Sequence, residues 1–288
     1  MSLHIETVIK SLKKNPVDFL PKGELFIGRD FLDHYFFEEE VYTKQLERAA
    51  QCLDLSLIGI WIDTEWSDPL LSKRTYKDLQ EYFTVGCISG PISRLIEKHG
   101  FFDAMRSIRN EPSLFSKVAT DLIRDVESRA ELARTNGFSG IAITDDIAAN
   151  KGLLFSYDYF RETVHPVYKE ISTIIKRNDL FAFFHSDGDT VKIMNLLIEA
   201  GYDCLHPVDT IAGMNLYELK KEFGEMVCFM GHIDIITWTN EQIQKEINRA
   251  ENEFRKGGLI LGSTCGLSME TANDKLGLLY PQWKKNRK

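Results

Sequence analysis

Cysteine is scarce in this chain, and none of it is spaced for a metal knuckle. The five cysteines, Cys52, Cys87, Cys204, Cys228 and Cys265, are scattered over 288 residues with no CxxC pair. An odd, dispersed set excludes a disulfide framework and a zinc knuckle, and leaves at least four of the five as reduced packing residues. Long apolar runs are missing as well: the longest are of strand length, short of the roughly 20 residues that a membrane-spanning helix needs. The N-terminus lacks the apolar core of a signal peptide. These absences predict a soluble, cytoplasmic protein with no membrane partner. Positive charge is also in deficit, with 35 Lys and Arg against 43 Asp and Glu and a formal net charge of −8. No basic stripe is available to follow a phosphate backbone, so nucleic acid is not expected as a partner. The basic tail KKNRK reads as a solvated terminus. No low-complexity linker, repeated block or charge run divides the sequence, and residues 1–288 read as one domain.

What the chain does contain is a series of eight short apolar runs, nearly all ending in a polar or ligand-type residue. In order they are ELFIG before Arg29, LSLIGIWID at Asp63, TVGCISGP at Gly90, and GIAITDD at Asp145 and Asp146. LFAFFHSDG follows at His185 and Asp187, then CLHPVD at Asp209, VCFMGHID at His232 and Asp234, and LILGSTC at Cys265. Eight strands alternating with helices close into a parallel (β/α)8 TIM barrel, an α/β fold that gathers its chemistry at the C-terminal strand ends. The 43% hydrophobic content suffices for the layered core of such a barrel. Between the strands, Thr239 and Gln242 stand in capping-box relation ahead of Ile243, Ile247 and Phe254 on one helical face. Val118, Leu122 and Val126 mark a helix running from Ser113 toward Gly137, and Thr190 opens one that Gly201 can close.

The most specific local chemistry is HSDG after an apolar strand. Residues two apart on a strand share a face, so His185 and Asp187 can point together into the mouth while Gly188 permits the turn. Imidazole, carboxylate and thiolate are all suitable zinc donors, and the set His185, Asp209 and Cys265 offers all three, with Asp187 as a fourth ligand or as the cap of the helix near Thr190. Three ligands leave the exchangeable position that a catalytic metal requires. Strand alternation sends only one of Asp145 and Asp146 into the pocket. Asp146 is the choice, as a base, an orienting group or a structural acceptor. Asp63, with Trp61 and Trp66 as aromatic walls or packing residues, and His232, as a substrate contact or a loop-ordering group, complete the candidates for substrate binding.

Taken in order, GPISRLIEKHG, DDIAANKGLLFSYDYFRETVHPVYKEI, HSDGDTVKIMNLLIEAGYDCLHPVDTIAGMNLYELKKEFG and GHIDIITWT resemble the uroporphyrinogen decarboxylase superfamily, and the resemblance runs from about Pro21 to Leu279. It implies the same barrel. One branch of that superfamily, the true decarboxylases, holds a tetrapyrrole's carboxylates with a motif of the RQAGRY kind, which ELFIGRDFLDHYF does not reproduce beyond Arg29. The other branch is similar to the corrinoid- or cobalamin-dependent methyltransferases, including those that methylate coenzyme M and those that demethylate methoxy compounds. In the coenzyme M type an HxC pair and a later cysteine bind zinc. His185, Asp187 and Cys265 stand at those positions here, so aspartate replaces the first cysteine, and Asp209 can supply coordination after the next strand. Carboxylate in place of thiolate makes the set harder and the metal a stronger Lewis acid toward oxygen, which suits methoxy activation; transfer to a thiol is the reverse direction. The resemblance therefore implies a zinc-assisted methyltransferase acting on a small methylated or thiol substrate with a corrinoid on a partner protein. The alternatives are a decarboxylase, which needs cationic anchors and a proton donor, and a noncatalytic corrinoid- or small-ligand-binding barrel.

Overall fold

The computed structural model describes residues 2–39, 41–65, 76–271 and 274–286. Each of the eight apolar runs contributes to a parallel strand. The strands are β1 (Gly23–Glu24), β2 (Leu57–Trp61), β3 (Phe83–Ser89), β4 (Gly140–Thr144), β5 (Phe181–His185), β6 (Cys204–His206), β7 (Cys228–Ile233) and β8 (Leu259–Ser263), hydrogen-bonded side by side in that order. The ring closes where the Leu261 N–H donates to the Pro21 carbonyl at 2.9 Å and Lys22 bridges to Leu261 in parallel. This is the (β/α)8 TIM barrel that the alternating runs predict. β1 is shorter than its run because Phe26 and Gly28 pair instead with the chain beyond β8: the Gly28 N–H donates to the Leu267 carbonyl and the Leu267 N–H to that of Phe26. β6 stops before Pro207, which has no N–H to continue the ladder.

Two apolar layers follow from strand alternation. Inward side chains such as Leu57, Phe83, Val85, Phe183, Met230 and Ile260 fill the barrel, and Val8 and Leu12 of the helix Leu3–Leu12 close its floor. Ser11 anchors that helix by donating its hydroxyl to the Leu259 carbonyl at 2.7 Å. Each such fully buried Val, Leu or Phe contributes about 1.5–3 kcal/mol relative to exposure. Cys87, Cys204 and Cys228 are free thiols within this inner layer, and Cys52 is buried under the helices.

The outer layer is built by the helices. Asn240–Glu253 carries both halves of the Thr239/Gln242 capping box and buries Ile243 and Ile247, with Phe254 at its end. Pro112–Thr135 buries Leu122 and Val126 with Val118 half-buried, and Gly137 follows it at φ +82°. After β5 a 3₁₀ turn, Val191–Ile193, leads into Met194–Ala200, which Gly201 terminates in the left-handed region. The side chain capping this segment is that of Asp189, whose carboxylate accepts the Val191 N–H at 3.0 Å. Asp187, the expected alternative cap, is turned elsewhere. No helix among the described residues is long and apolar enough to cross a membrane.

Candidate metal centre

Two strand ends on one side of the mouth build the site. At the end of β4, Asp145 and Asp146 point to opposite sides, as alternation requires. Asp145 is fully buried and accepts the Ile92 and Ser93 N–H groups at 3.2 and 2.6 Å and the Tyr168 hydroxyl at 2.6 Å. It thereby anchors the N-terminus of the helix Pro91–His99. A Cβ at Gly90 would lie 2.3 Å from that carboxyl, so only glycine lets the two approach. Burial pushes the Asp145 carboxyl up to about 6 against the pull of those donors. Asp146, by contrast, lines the cavity at the mouth.

At the end of β5, His185 points into the same cavity, and the following turn brings Asp187 back beside it. That turn is held by Ser186, whose hydroxyl accepts the Ile147 N–H at 3.1 Å, and by the Asp187 N–H, which donates to Asp146 Oδ1 at 3.0 Å. Gly188 completes it at φ +88°, where a Cβ would meet the Ala148 carbonyl carbon at 2.6 Å. His185 Nε2 lies 3.6 Å from Asp146 Oδ1 and 4.0 Å from Asp187 Oδ1. One donor atom from each of Asp146, His185 and Asp187 lies within 4.8 Å of the other two. The cavity they face measures about 440 Å³ and is also lined by Phe26, Trp61, Glu97 and Cys265.

The electrostatics of this corner suit a cation. Burial keeps the His185 imidazole neutral by pushing its pKa below the ordinary range, with the Asp146 and Asp209 charges opposing. A neutral imidazole can offer a nitrogen lone pair. Over half of the Asp187 side-chain surface is open to the cavity. Even so, desolvation by the cavity walls, and then the Asp146 and Asp209 charges, push its carboxyl up to about 7. Two carboxylates held together beside a neutral imidazole, with few protein donors of their own, repel one another until a positive charge joins them. Cys265 opens onto the cavity, and burial against its surroundings, followed by the Glu24 and Asp234 charges, pushes its thiol up to about 11.

Other expected site residues lie apart from this corner. Asp209, expected as the third ligand, is absent from the converging group because its oxygens are engaged elsewhere. Oδ1 accepts the Ile211 and Ala212 N–H groups at 2.9 and 3.1 Å, and Oδ2 accepts that of Gly188 at 2.9 Å. His232, expected at the substrate, has a left-handed backbone (φ +91°) directly after Gly231 (φ +88°), and its Nε2 pairs with Glu246 Oε1 at 2.9 Å in the helix layer. It does not line the mouth cavity. Asp63 lies beside that cavity, not in it. It accepts the Ser89 N–H, pairs with Arg94 at 3.1 Å, and has Arg129 at 3.8 Å. Trp66 falls outside the described residues, and Trp61 lines the cavity, stacked on Phe26 at 5.5 Å. Sequence reasoning passed over His206, which sits against His185. Its signal was present in CLHPVD, where a histidine ends the strand next to that of His185. A larger crevice of about 900 Å³ lies toward the floor, bordered by Lys22, Asp54 and Glu251, and among the described residues it brings no comparable donor group together.

The sequence matches the family described as uroporphyrinogen decarboxylase (URO-D) over residues 72–284. No curated protein matches it. Among solved structures, a methyltransferase from Methanosarcina mazei superposes over 99% of each chain with a TM-score of 0.74 at 14% identity. The IOLI protein with a bound zinc atom aligns with 93% of this chain and 95% of its own (TM-score 0.52, 14% identity). A D-allulose 3-epimerase from Methylomonas sp. aligns with 95% of this chain and 99% of its own (TM-score 0.51, 11% identity). At such identities the likeness is one of fold.

Proposed function

The chain belongs to the uroporphyrinogen decarboxylase family, and from that premise we propose that it is a metal-assisted methyltransferase. It would move a methyl group between a small methylated or thiol substrate and a corrinoid carried by a partner protein. The observation that carries this reading is the convergence of Asp146, His185 and Asp187 on one cavity, with Cys265 on its wall. Imidazole nitrogen and two carboxylate oxygens suit zinc, and a set of three leaves the open position that a catalytic zinc needs, with Cys265 on the wall outside that set. When bound, a divalent zinc would polarise the oxygen or sulfur that carries or receives the methyl group.

The chain's own residues then have separate tasks. His185 presents a neutral ring to the cavity. Asp146 and Asp187 would balance the charge of a dication, and Asp187, whose carboxyl desolvation and the neighbouring Asp146 and Asp209 charges push up to about 7, would hold it as the carboxylate. Trp61 and Phe26 form an apolar wall that shapes the cavity and reduces water at the reacting group. The M. mazei methyltransferase shares this architecture over its full length.

Tetrapyrrole decarboxylation is disfavoured by the charge of the wall. Glu97, Asp146 and Asp187 line the cavity, and no lysine or arginine does so among the described residues. Arg94 and Arg129 border the adjoining cavity but are already paired with Asp63 and Asp125. Anchoring a polycarboxylate requires cations that are free to bind it. The test is single-turnover methyl transfer: zinc-loaded protein, a reduced corrinoid protein and a panel of small methoxylated compounds and methyl thioethers, followed by the visible spectrum of cobalt. Methylcobalt should form with at least one donor class. Porphyrinogen turnover by metal-free protein, with carbon dioxide released and no methyl transferred, would reverse the assignment.

A further inference from the structure

The metal corner leaves one carboxylate of the mouth cavity without a task. Glu97 stands on the helix Pro91–His99, whose first turn is tied down by Asp145, and it follows Ser93 by one helical turn. Residues four apart on a helix share a face, and Ser93 and Glu97 both border the cavity. Trp61, Ser89 and Glu97 line this cavity and also the adjoining one of about 610 Å³, which places the carboxylate and the indole together at the opening between the two. Glu97 Oε1 accepts the Ser89 hydroxyl at 3.3 Å, and no lysine or arginine among the described residues pairs with the carboxylate.

The surrounding charges cancel except for this one. Arg94 pairs with Asp63 at 3.1 Å and with Asp125 at 2.6 Å, and Arg129 pairs with Asp125 at 2.7 Å, so those four side chains are neutral as a group. A dication at the metal corner would be balanced by Asp146 and Asp187. Glu97 then remains as an uncompensated negative charge facing the cavity. Beside it, Trp61 is stacked on Phe26 with centroids 5.5 Å apart, an electron-rich wall that attracts a cation through the ring quadrupole. A separate feature marks the space as one that takes a ligand. His185 is 7% exposed and presents Nε2 to the cavity, and the nearest carboxylate oxygens, at 3.6 and 4.0 Å, are beyond hydrogen-bonding distance.

We infer that Glu97 is a specificity-determining residue, and that the methylated compound taken by the cavity carries a positively charged ammonium group seated between the Glu97 carboxylate and the Trp61–Phe26 wall. This rests on the methyltransferase reading for the fate of the methyl group but not for the charge of what binds. The ammonium meets Glu97 as an ion pair while its carbons lie on the aromatic rings. The methoxy or methylthio end of the same compound would face Asp146, His185 and Asp187, and a cavity of about 440 Å³ accommodates both ends of a small molecule. A neutral analogue loses the ion pair, and an anionic one meets Glu97 as like charge, so the site discriminates by repulsion as well as by attraction.

The test is isothermal titration calorimetry of zinc-loaded protein with two ethers of the same shape, the methyl ether of choline and its neutral carbon analogue, 3,3-dimethylbutyl methyl ether. The quaternary ammonium has no lone pair for a metal and no proton to lose, so the pair isolates charge. The parent should bind the cationic ether at least about tenfold more tightly than the neutral one. Glu97→Gln should bring the two within about threefold of each other and leave the neutral ether at its parental affinity, which also shows that the variant is folded. Equal affinities in the parent, no binding of the cationic ether, or an undiminished preference in Glu97→Gln would overturn the inference. If the chain takes up no zinc, the same loss of preference in Glu97→Gln is expected of metal-free protein. Methyl transfer separates the two readings. A cation preference that depends on Glu97 without any methyl reaching cobalt would defeat the methyltransferase reading alone, and transfer from the neutral ether without such a preference would defeat this inference alone.

Discussion

The mouth has two sides that use the same residue type in opposite ways. At the ends of β6 and β7, Asp209 and Asp234 are tied to backbone amides, Asp209 both in its own loop and at Gly188 in the turn after β5. Asp209 accepts three backbone N–H groups, and Asp234 accepts those of Ile236 and Thr237 together with the Thr237 hydroxyl. At the ends of β4 and β5, Asp146 and Asp187 stay open to the cavity, and their one shared bond runs from the Asp187 N–H to Asp146. The first pair is spent on architecture; the second retains lone pairs and repulsion that a cation would relieve. Position at a barrel mouth therefore does not by itself make a carboxylate functional. What distinguishes the two kinds is whether backbone amides have already claimed the oxygens.

Asp145 is the extreme of the architectural kind, so its replacement should have the largest effect. Asp145→Ala leaves the Ile92 and Ser93 N–H groups and the Tyr168 hydroxyl without their acceptor in a dry site. At about 1–3 kcal/mol for each abandoned group, partly relieved by relaxation, the loss should be on the order of 4 kcal/mol in chemical denaturation. A cost below about 1 kcal/mol would show that the division is misplaced.

Glu24 at the β1–β8 seam gives the next effect, and it is visible as pH dependence. The carboxyl is fully buried, accepts from the Ser263 N–H, the Ser263 hydroxyl and the Tyr280 hydroxyl, and is pushed up to about 7 by burial. Its folded pKa lies above its unfolded value of 4.5, so the folded state holds the proton more tightly. The contribution is complete below about 4.5 and is lost as pH rises through about 7, amounting to about 3 kcal/mol across that window. Glu24→Gln should flatten the unfolding free energy between those limits. A parental slope in that variant would assign the pH dependence elsewhere.

Asp209→Ala should cost about 2 kcal/mol, since two of the three N–H groups it frees, those of Ile211 and Ala212, are only partly buried. Asp187→Asn should change stability least, by no more than about 0.5 kcal/mol and in the stabilising direction, because it removes like charge from an exposed position. Thermal unfolding of the two variants side by side measures the contrast. Equal destabilisation would erase it.

Much of this was legible in the sequence. The eight strands could be read because each is a short apolar run broken by a polar edge, and the Asp145/Asp146 division followed from strand alternation alone. The Thr239/Gln242 cap was equally local. Asp209 stands outside the converging group, and a sequence does not display which oxygens are occupied, although Asp209 and Asp234 share a signal: each is bonded by the amides two and three residues on, the pattern of an Asx turn. His232, expected as a substrate contact or a loop-ordering group, is turned toward Glu246 because two successive left-handed residues break the alternation of its strand. CLHPVD shows His206 as a strand-end histidine, but its seat against His185 depends on the register between β5 and β6, a non-local quantity.

Zinc binding by four proteins compared in one titration tests the central claim most directly: the parent, His185→Ala, Asp187→Asn and Asp209→Asn. The account predicts about one zinc per chain in the parent and in Asp209→Asn, and an affinity at least about tenfold weaker in His185→Ala and Asp187→Asn. A parent that binds no zinc, or a chain that loses zinc with Asp209→Asn while keeping it with Asp187→Asn, would contradict it.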